Sequence, residues 1–183
     1  MPSERIPPAD NLALVTPTVV LEEAFASMVA DFEAASEAFF SAQQRELARC
    51  DFAAYVARLE AFARGENLPT GYVPSEAYWL VRSMTELIGV SSLRFRLTPD
   101  LEVIGGHIGY GIRPSQRGHG YGTQLLARTL DKARMHGLKR VLLTCDTDNI
   151  ASARVIEKNG GVFASHGVTP ATGVAISRYW ITL

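Results

Sequence analysis

Residues Ile112 to Thr123 read IRPSQRGHGYGT. Gly118, Gly120 and Gly122 alternate between an apolar, glycine-rich run that reads as a strand and QLLARTLDKA, which reads as a helix. Three glycines cost more conformational entropy than a plain strand-to-helix turn requires. Bare backbone at a helix start suits an anion, because the first N–H groups lack partners and the helix dipole is positive there. Spacing excludes two common phosphate loops. A dinucleotide G-x-G-x-x-G needs glycine at Thr123 when counted from Gly118, or at Leu125 when counted from Gly120. No Gly-Lys-Ser/Thr follows, so a P-loop also fails.

Working outward, LALVTPTVV reads as a first strand ending near Leu21, and EEAFASMVADFEAASEAFFSAQQREL as one helix. A second helix is expected in DFAAYVARLEAFARGENLP, with Asp51 as N-cap and Gly65 as its stop. From Ala77 the apolar period shortens to two. AYWLVR, ELIGVSSLRFRL and LEVIGGHIGYGI then form an antiparallel meander, with turns at Ser83-Met84-Thr85 and Pro99-Asp100. After the glycines come a helix from Tyr121 to His136, the strand RVLLTC, a helix NIASARVIEKN capped by Asn149, and two closing strands. This order predicts an α+β domain built on one mixed, mostly antiparallel sheet flanked by helices.

With 183 residues, 47% of them hydrophobic, the chain fits a single domain over 1–183. The formal net charge of -1 supplies no basic field, so nucleic acid is not an expected partner. MPSERIPPAD has no signal-peptide core and no later stretch is long and apolar enough to span a bilayer, so a cytoplasmic protein without membrane partners is expected. Cys50 and Cys145 suggest no disulfide framework, and the four histidines are not arranged at metal-ligand spacing. No metal is expected.

Arg117-Gly-His-Gly120-Tyr-Gly122 satisfies R/Q-x-x-G-x-G/A, between a strand ending in Ile-Arg-Pro and an amphipathic helix. This resembles the acyl-CoA pyrophosphate loop of the GNAT superfamily of N-acyltransferases. DNIASARVIEKNGG is similar to that superfamily's N-x-x-S/A-x-x-x-Y-E-K-x-G segment. The motifs GGHIGY, IRP and NGG place the resemblance nearest to bacterial predicted acetyltransferases, and it is carried by a CoA-binding core of about 77–165. It implies the GNAT fold, acetyl-CoA as co-substrate, an amine acceptor, and the possibility of a homodimer. Its cofactor-binding residues would be Ile112, Arg113, Arg117, Gly118, His119, Gly120, Tyr121, Gly122 and Thr123 around the pyrophosphate, with Asn149 and Ser152 at the pantetheine arm. Arg117 would add charge at the rim of the loop.

The resemblance further implies that the thioester lies along GGHIGYGI, on a strand splayed by a bulge, with a backbone N–H near Ile112 meeting the oxyanion. Period-two parity puts Gly105, His107, Gly109 and Gly111 on one face and Ile104, Ile108, Tyr110 and Ile112 on the other. A lysine-like amine, with a pKa of about 10.4, is so rarely neutral at pH 7 that the deficit is about 4–5 kcal/mol, whereas an α-amino group near 8 needs much less help. His107 is the candidate catalytic base; its alternative is a histidine bonded across the sheet for structural reasons. Ile156 stands where the superfamily often has a tyrosine that protonates the leaving thiolate. That substitution is the one support for a second reading, a non-catalytic acyl-CoA-binding module. Glu22, Glu23, Asp31, Glu33 and Glu37 give the first helices an acidic lean, compatible with a cationic amine or with an ordinary solvated face.

Overall fold

The computed structural model describes residues 11–169 and 172–183. Residues 1–10, whose lack of a signal core was read above, lie outside the described residues.

The chain runs β1 (Leu12–Val15), α1 (Glu22–Ala34), α2 (Ala42–Cys50), α3 (Phe52–Arg64), β2 (Ser75–Arg82), β3 (Glu86–Arg94) and α4 (Pro99–Val103). It continues through β4 (Ile108–Ile112), α5 (Tyr121–Met135), β5 (Arg140–Asp146), α6 (Ile150–Lys158), β6 (Val162–Val168) and β7 (Ala175–Thr182). The α+β class is as expected, and the sheet is divided. Hydrogen-bonded ladders form a four-stranded sheet β1-β2-β3-β4 and a three-stranded sheet β5-β7-β6, with every pair antiparallel. At the junction the His107 N–H donates to the Leu142 carbonyl, and Leu142 N–H donates back to His107 Nδ1. The ladder of β4 is on its β3 side.

The first sheet is covered on both faces. Phe25, Met28 and Phe32 of α1 pack with Phe52 and Tyr55 of α3 onto Trp79 and Val90. On the opposite face Leu125 of α5 joins Leu80, Ile88 and Ile112. A third cluster runs from Ile108 and Leu126 to Leu143 and Ile156, joining the two sheets through α5 and α6.

Several elements differ from the sequence reading. The long first helix is two helices, because Ser36 turns left-handed at φ 59° and Ser41 opens α2 with a capping box. Ser41 Oγ accepts from the Gln44 N–H and Gln44 Oε1 accepts from the Ser41 N–H. The turn at Pro99-Asp100 is a short helix, started by Thr98, whose side chain accepts from Leu101 N–H, and by proline at the first turn. Consequently β3 ends at Arg94, and β4 begins only at Ile108 after Gly105 and Gly106, both at positive φ. Strand β1 stops at Val15, and Val19–Leu21 form a 3-10 turn. Asp51 and Gly65 bound α3 as expected, with Gly65 left-handed at φ 78°.

Candidate active site

Strand β4 supplies the floor of the site. It pairs with β3 in one unbroken register from Leu93–Ile108 to Gly89–Ile112. The bulge expected on this strand is absent from its ladder with β3; a register shift falls instead between β2 and β3, where Ile88 of β3 is skipped opposite Leu80 and Val81. Arg94 N–H donates to the His107 carbonyl and Arg113 N–H to the Ile88 carbonyl, which marks the odd-numbered residues as those bonded to β3. Since donors alternate along an antiparallel strand, the N–H groups of Ile108, Tyr110 and Ile112 point away from β3, toward the other edge. Within Ile108–Ile112 the side-chain parity is as read, with Ile108 and Ile112 buried on the α5 side and Gly111 facing Phe39 in the loop after α1, whereas Ile104 to His107 lie outside the strand.

The glycine loop meets this edge. Gly120 is the N-cap of α5, at φ 79°, and as glycine it has no side chain with which to cap the helix. A Cβ on Gly118 or Gly120 would meet nothing within 4 Å, so packing does not demand glycine at either position; the left-handed backbone does. Gly122 has a different reason, because its Cβ would stand 3.2 Å from Val155 Cγ2 where α5 crosses α6. Thr123 follows it in the first turn. The Tyr121 ring is buried against Leu80 and Ile88, and its hydroxyl accepts from Arg82, so its side chain belongs to the core. Exposed His119 places Nδ1 3.3 Å from the Gln116 carbonyl.

The arginines are not free rim charges. Arg117 grips Glu37 with both guanidinium nitrogens at 2.7 Å while its Nε donates to the Ile112 carbonyl. Arg113 donates to Asp31 at 3.0 Å, and the same Asp31 oxygen accepts from the Ser115 hydroxyl and N–H. These bonds, with the Ser115 hydroxyl foremost, hold the Asp31 carboxyl below its usual range. The bidentate Arg117 likewise lowers Glu37. Glu33 pairs with Arg45. Three of the five acidic residues in the first helices are thus engaged with arginines.

On the second sheet, Asn149 caps α6 by accepting from the Ser152 N–H at 3.0 Å. The Ser152 hydroxyl lies 2.9 Å from Tyr110 Oη. Both line a cavity of about 320 Å³ with Asn149, Cys145, Thr144 and the β4 edge. Burial pushes the Tyr110 hydroxyl up to about 12, so it keeps its proton at neutral pH. Burial also raises the Cys145 thiol. Ile156 is fully buried, and a Cβ on Gly161 would come within 2.4 Å of its Cγ2. Ile156 therefore packs as a core residue, and the hydroxyl that lines the cavity is that of Tyr110.

His107 does not stand where a base is needed. Its Nδ1 accepts from Leu142 N–H, which leaves the remaining proton on Nε2 and no lone pair for an amine. Burial, followed by the charges of Arg94 and Arg140, drops it to about 4. The structure gives it the alternative role weighed above, that of a histidine bonded across the sheet junction.

A second cavity of about 310 Å³ lies on the other face of the first sheet, beneath α2 and α3. Gly109 and Tyr110 line both cavities, so the two spaces meet at β4.

A strand edge with outward N–H groups, a glycine-started helix beside it and a cavity on each side form an arrangement that suits acyl transfer between two substrates on a divided α+β sheet. The sequence matches the acetyltransferase (GNAT) domain over residues 12–162. The chain belongs to the GNAT acetyltransferase family, whose members move an acetyl group from acetyl-CoA to an amine. No match is found among the curated proteins. Among solved structures it is similar to the ribosomal L7/L12 alpha-N-protein acetyltransferase RimL in complex with coenzyme A, at 21% identity, TM-score 0.69 and 97% of both chains. It is also similar to the ribosomal-protein-S5-alanine acetyltransferase from Vibrio fischeri, at 13% identity, TM-score 0.72, and 94% of this chain with 93% of that one. A third is the microcin C7 self immunity acetyltransferase MccE with acetyl-CoA and AMP, at 14% identity, TM-score 0.66, and 95% with 93%.

Proposed function

We propose that the chain acetylates an α-amino group, such as that of a peptide N-terminus, by direct attack on acetyl-CoA. The observation that carries this reading is the open start of α5 beside the outer edge of β4. The N–H groups from Gly118 to Thr123 would hold the pyrophosphate, and the outward N–H groups of β4 would hold the pantetheine and thioester. Asn149 still has its amide NH2 to donate, and Ser152 would sit beside the thioester.

The amine nitrogen bonds to the thioester carbon, and the oxyanion is met by the N–H of Ile112 or Tyr110. The C–S bond then breaks, the amine gives its proton to water, and the thiolate takes one from the Tyr110–Ser152 hydroxyl pair, which solvent then reprotonates. With a thiol pKa of about 8.5 the leaving group is tolerable, so this donor assists without being indispensable. The acceptor class rests on two supports. Two structural relatives are named as an alpha-N-protein acetyltransferase and a ribosomal-protein-S5-alanine acetyltransferase. The cavity under α2 and α3 has no carboxylate or imidazole in its lining, which disfavours an amine as basic as lysine and suits an α-amino group near 8.

Release of CoA thiol from acetyl-CoA with a panel of α-amino and ε-amino acceptors tests this. Turnover with α-amino acceptors is expected. Tyr110→Phe and Ser152→Ala should each lower kcat about tenfold with little change in the KM for acetyl-CoA, and the double variant should lose scarcely more than either single one. Acetyl-CoA binding without thiol release for any amine would favour the non-catalytic module.

A further inference from the structure

We infer that the acceptor's α-amino group sits next to a large apolar side chain, seated in the cavity under α2 and α3; this rests on the acetyl-transfer reading above. Phe39, Phe40, Tyr55, Leu59, Trp79 and Val90 form most of that cavity's wall. The few polar side chains are already committed or small. The Gln44 carbonyl oxygen is bound in the capping box, and burial pushes the Tyr55 hydroxyl well above its usual range. Ser91 Oγ bonds to Thr129 on the opposite, α5 face of the sheet. The wall carries no charge, so a cationic or acidic side chain would lose its hydration there without a partner. About 310 Å³ lies at the lower end of ligand-pocket volumes, enough for one aromatic or long aliphatic side chain rather than a cofactor-sized molecule.

Position relative to the acetyl donor comes from β4. At Gly111 the Phe39 ring packs directly on the strand, leaving no space for a Cβ. Gly109, two residues earlier, is different: its Cβ would meet only Ser92 Oγ, at an ordinary 3.5 Å. Neither packing nor a positive φ explains glycine at 109, and that position lines both cavities. With no side chain at 109, a backbone-sized group, the amine with its Cα, would reach from the apolar cavity to the edge of β4 while its side chain stays behind. Small first residues would leave the cavity unfilled.

The test is a series of short peptides, Xaa-Ala-Ala, with Xaa being Phe, Leu, Met, Ala, Ser, Glu or Lys, together with the amino-acid amides of Phe and Ala. CoA-thiol release is the readout. The expected result is a kcat/KM for the Phe, Leu or Met peptides at least about tenfold above the Ala and Ser peptides, with Glu and Lys lowest. An active Phe amide would place recognition in the first residue alone, and an inactive one would assign part of it to the peptide that follows. Ala77→Phe, and the milder Ala77→Leu, add bulk to the cavity wall from β2. Each should depress the large peptides while sparing the Ala peptide and acetyl-CoA affinity, whereas simple misfolding would depress all three. Gly109→Ala should act against every acceptor, the Ala peptide included. Equal or better turnover of Ala and Ser peptides overturns this inference and leaves α-amino acetylation standing. No turnover of any peptide or amide, with acetyl-CoA still bound, overturns the α-amino reading itself and this inference with it.

Discussion

Two helices begin at the donor side of the site, and they begin differently. Helix α6 closes its own first turn, with Asn149 accepting from Ser152 N–H. Among the described residues helix α5 is the longest, yet it starts on left-handed Gly120, which has no side chain to serve as a cap. A cap is worth about 0.5–2 kcal/mol, and Ser41, Asp51 and Thr98 supply one to α2, α3 and α4. Helix α5 forgoes that stability, as does α1, whose N-cap is Leu21. On the proposed reading α5 would offer backbone to charge, and α6 an Asn amide and a Ser hydroxyl to an uncharged arm.

The sharpest way to break this contrast is at Gly120. Gly120→Glu puts a carboxylate and a side chain at a left-handed position over the open helix end, and acetyl-CoA affinity should fall at least about 100-fold. Gly120→Asn tolerates that backbone at a cost of about 1 kcal/mol and brings no charge, so its affinity should fall much less. Calorimetric titration with acetyl-CoA reads both. Equal affinities for Gly120→Glu and the wild type would remove α5 as the pyrophosphate site.

Asn149 tests the other helix start with a smaller effect. Asn149→Ser keeps a good cap but loses the amide NH2, while Asn149→Ala loses both. Thermal unfolding should therefore drop only for Asn149→Ala, by about 1 kcal/mol, while acetyl-CoA affinity falls severalfold in both. A serine variant with unchanged affinity would reduce Asn149 to a cap.

Much of this contrast was legible in the sequence, because it is written in local chemistry. Glycine at 118, 120 and 122 and asparagine at 149 act within a turn or two of themselves, and their spacing names the family. The break between α1 and α2 was also signalled, by the Ser41-x-x-Gln44 box and by Thr98-Pro99 for α4, although alanine and phenylalanine around Ser36 concealed the first. What could not be read is the long-range pairing. Glu37 lies 80 residues from Arg117, and Phe39 covers Gly111, so neither the loss of the rim charge nor the wall of the acceptor cavity follows from spacing. His107 failed for the same reason: its glycine-rich surroundings suggested an open strand, and only the approach of Leu142 shows its lone pair to be taken.

The open helix start also depends on what holds the segment before it, and here the effect is smallest on ligand and largest on folding. Asp31 on α1 anchors that segment through Arg113, the Ser115 hydroxyl at 2.6 Å and the Ser115 N–H. Its carboxyl titrates below the ordinary 3.8, so the unfolded chain binds that proton more readily than the folded one. The stabilisation is therefore complete above about pH 4 and is lost as pH falls through the folded-state value. Asp31→Asn should lose about 1–2 kcal/mol at pH 7, read by chemical denaturation, and the gap to the wild type should narrow below about pH 4. Acetyl-CoA affinity should change less than in any variant above, since the α5 amides themselves are untouched. A gap that stayed constant down to about pH 2.5 would mean that neutral hydrogen bonding, rather than the charge on Asp31, holds the segment in place.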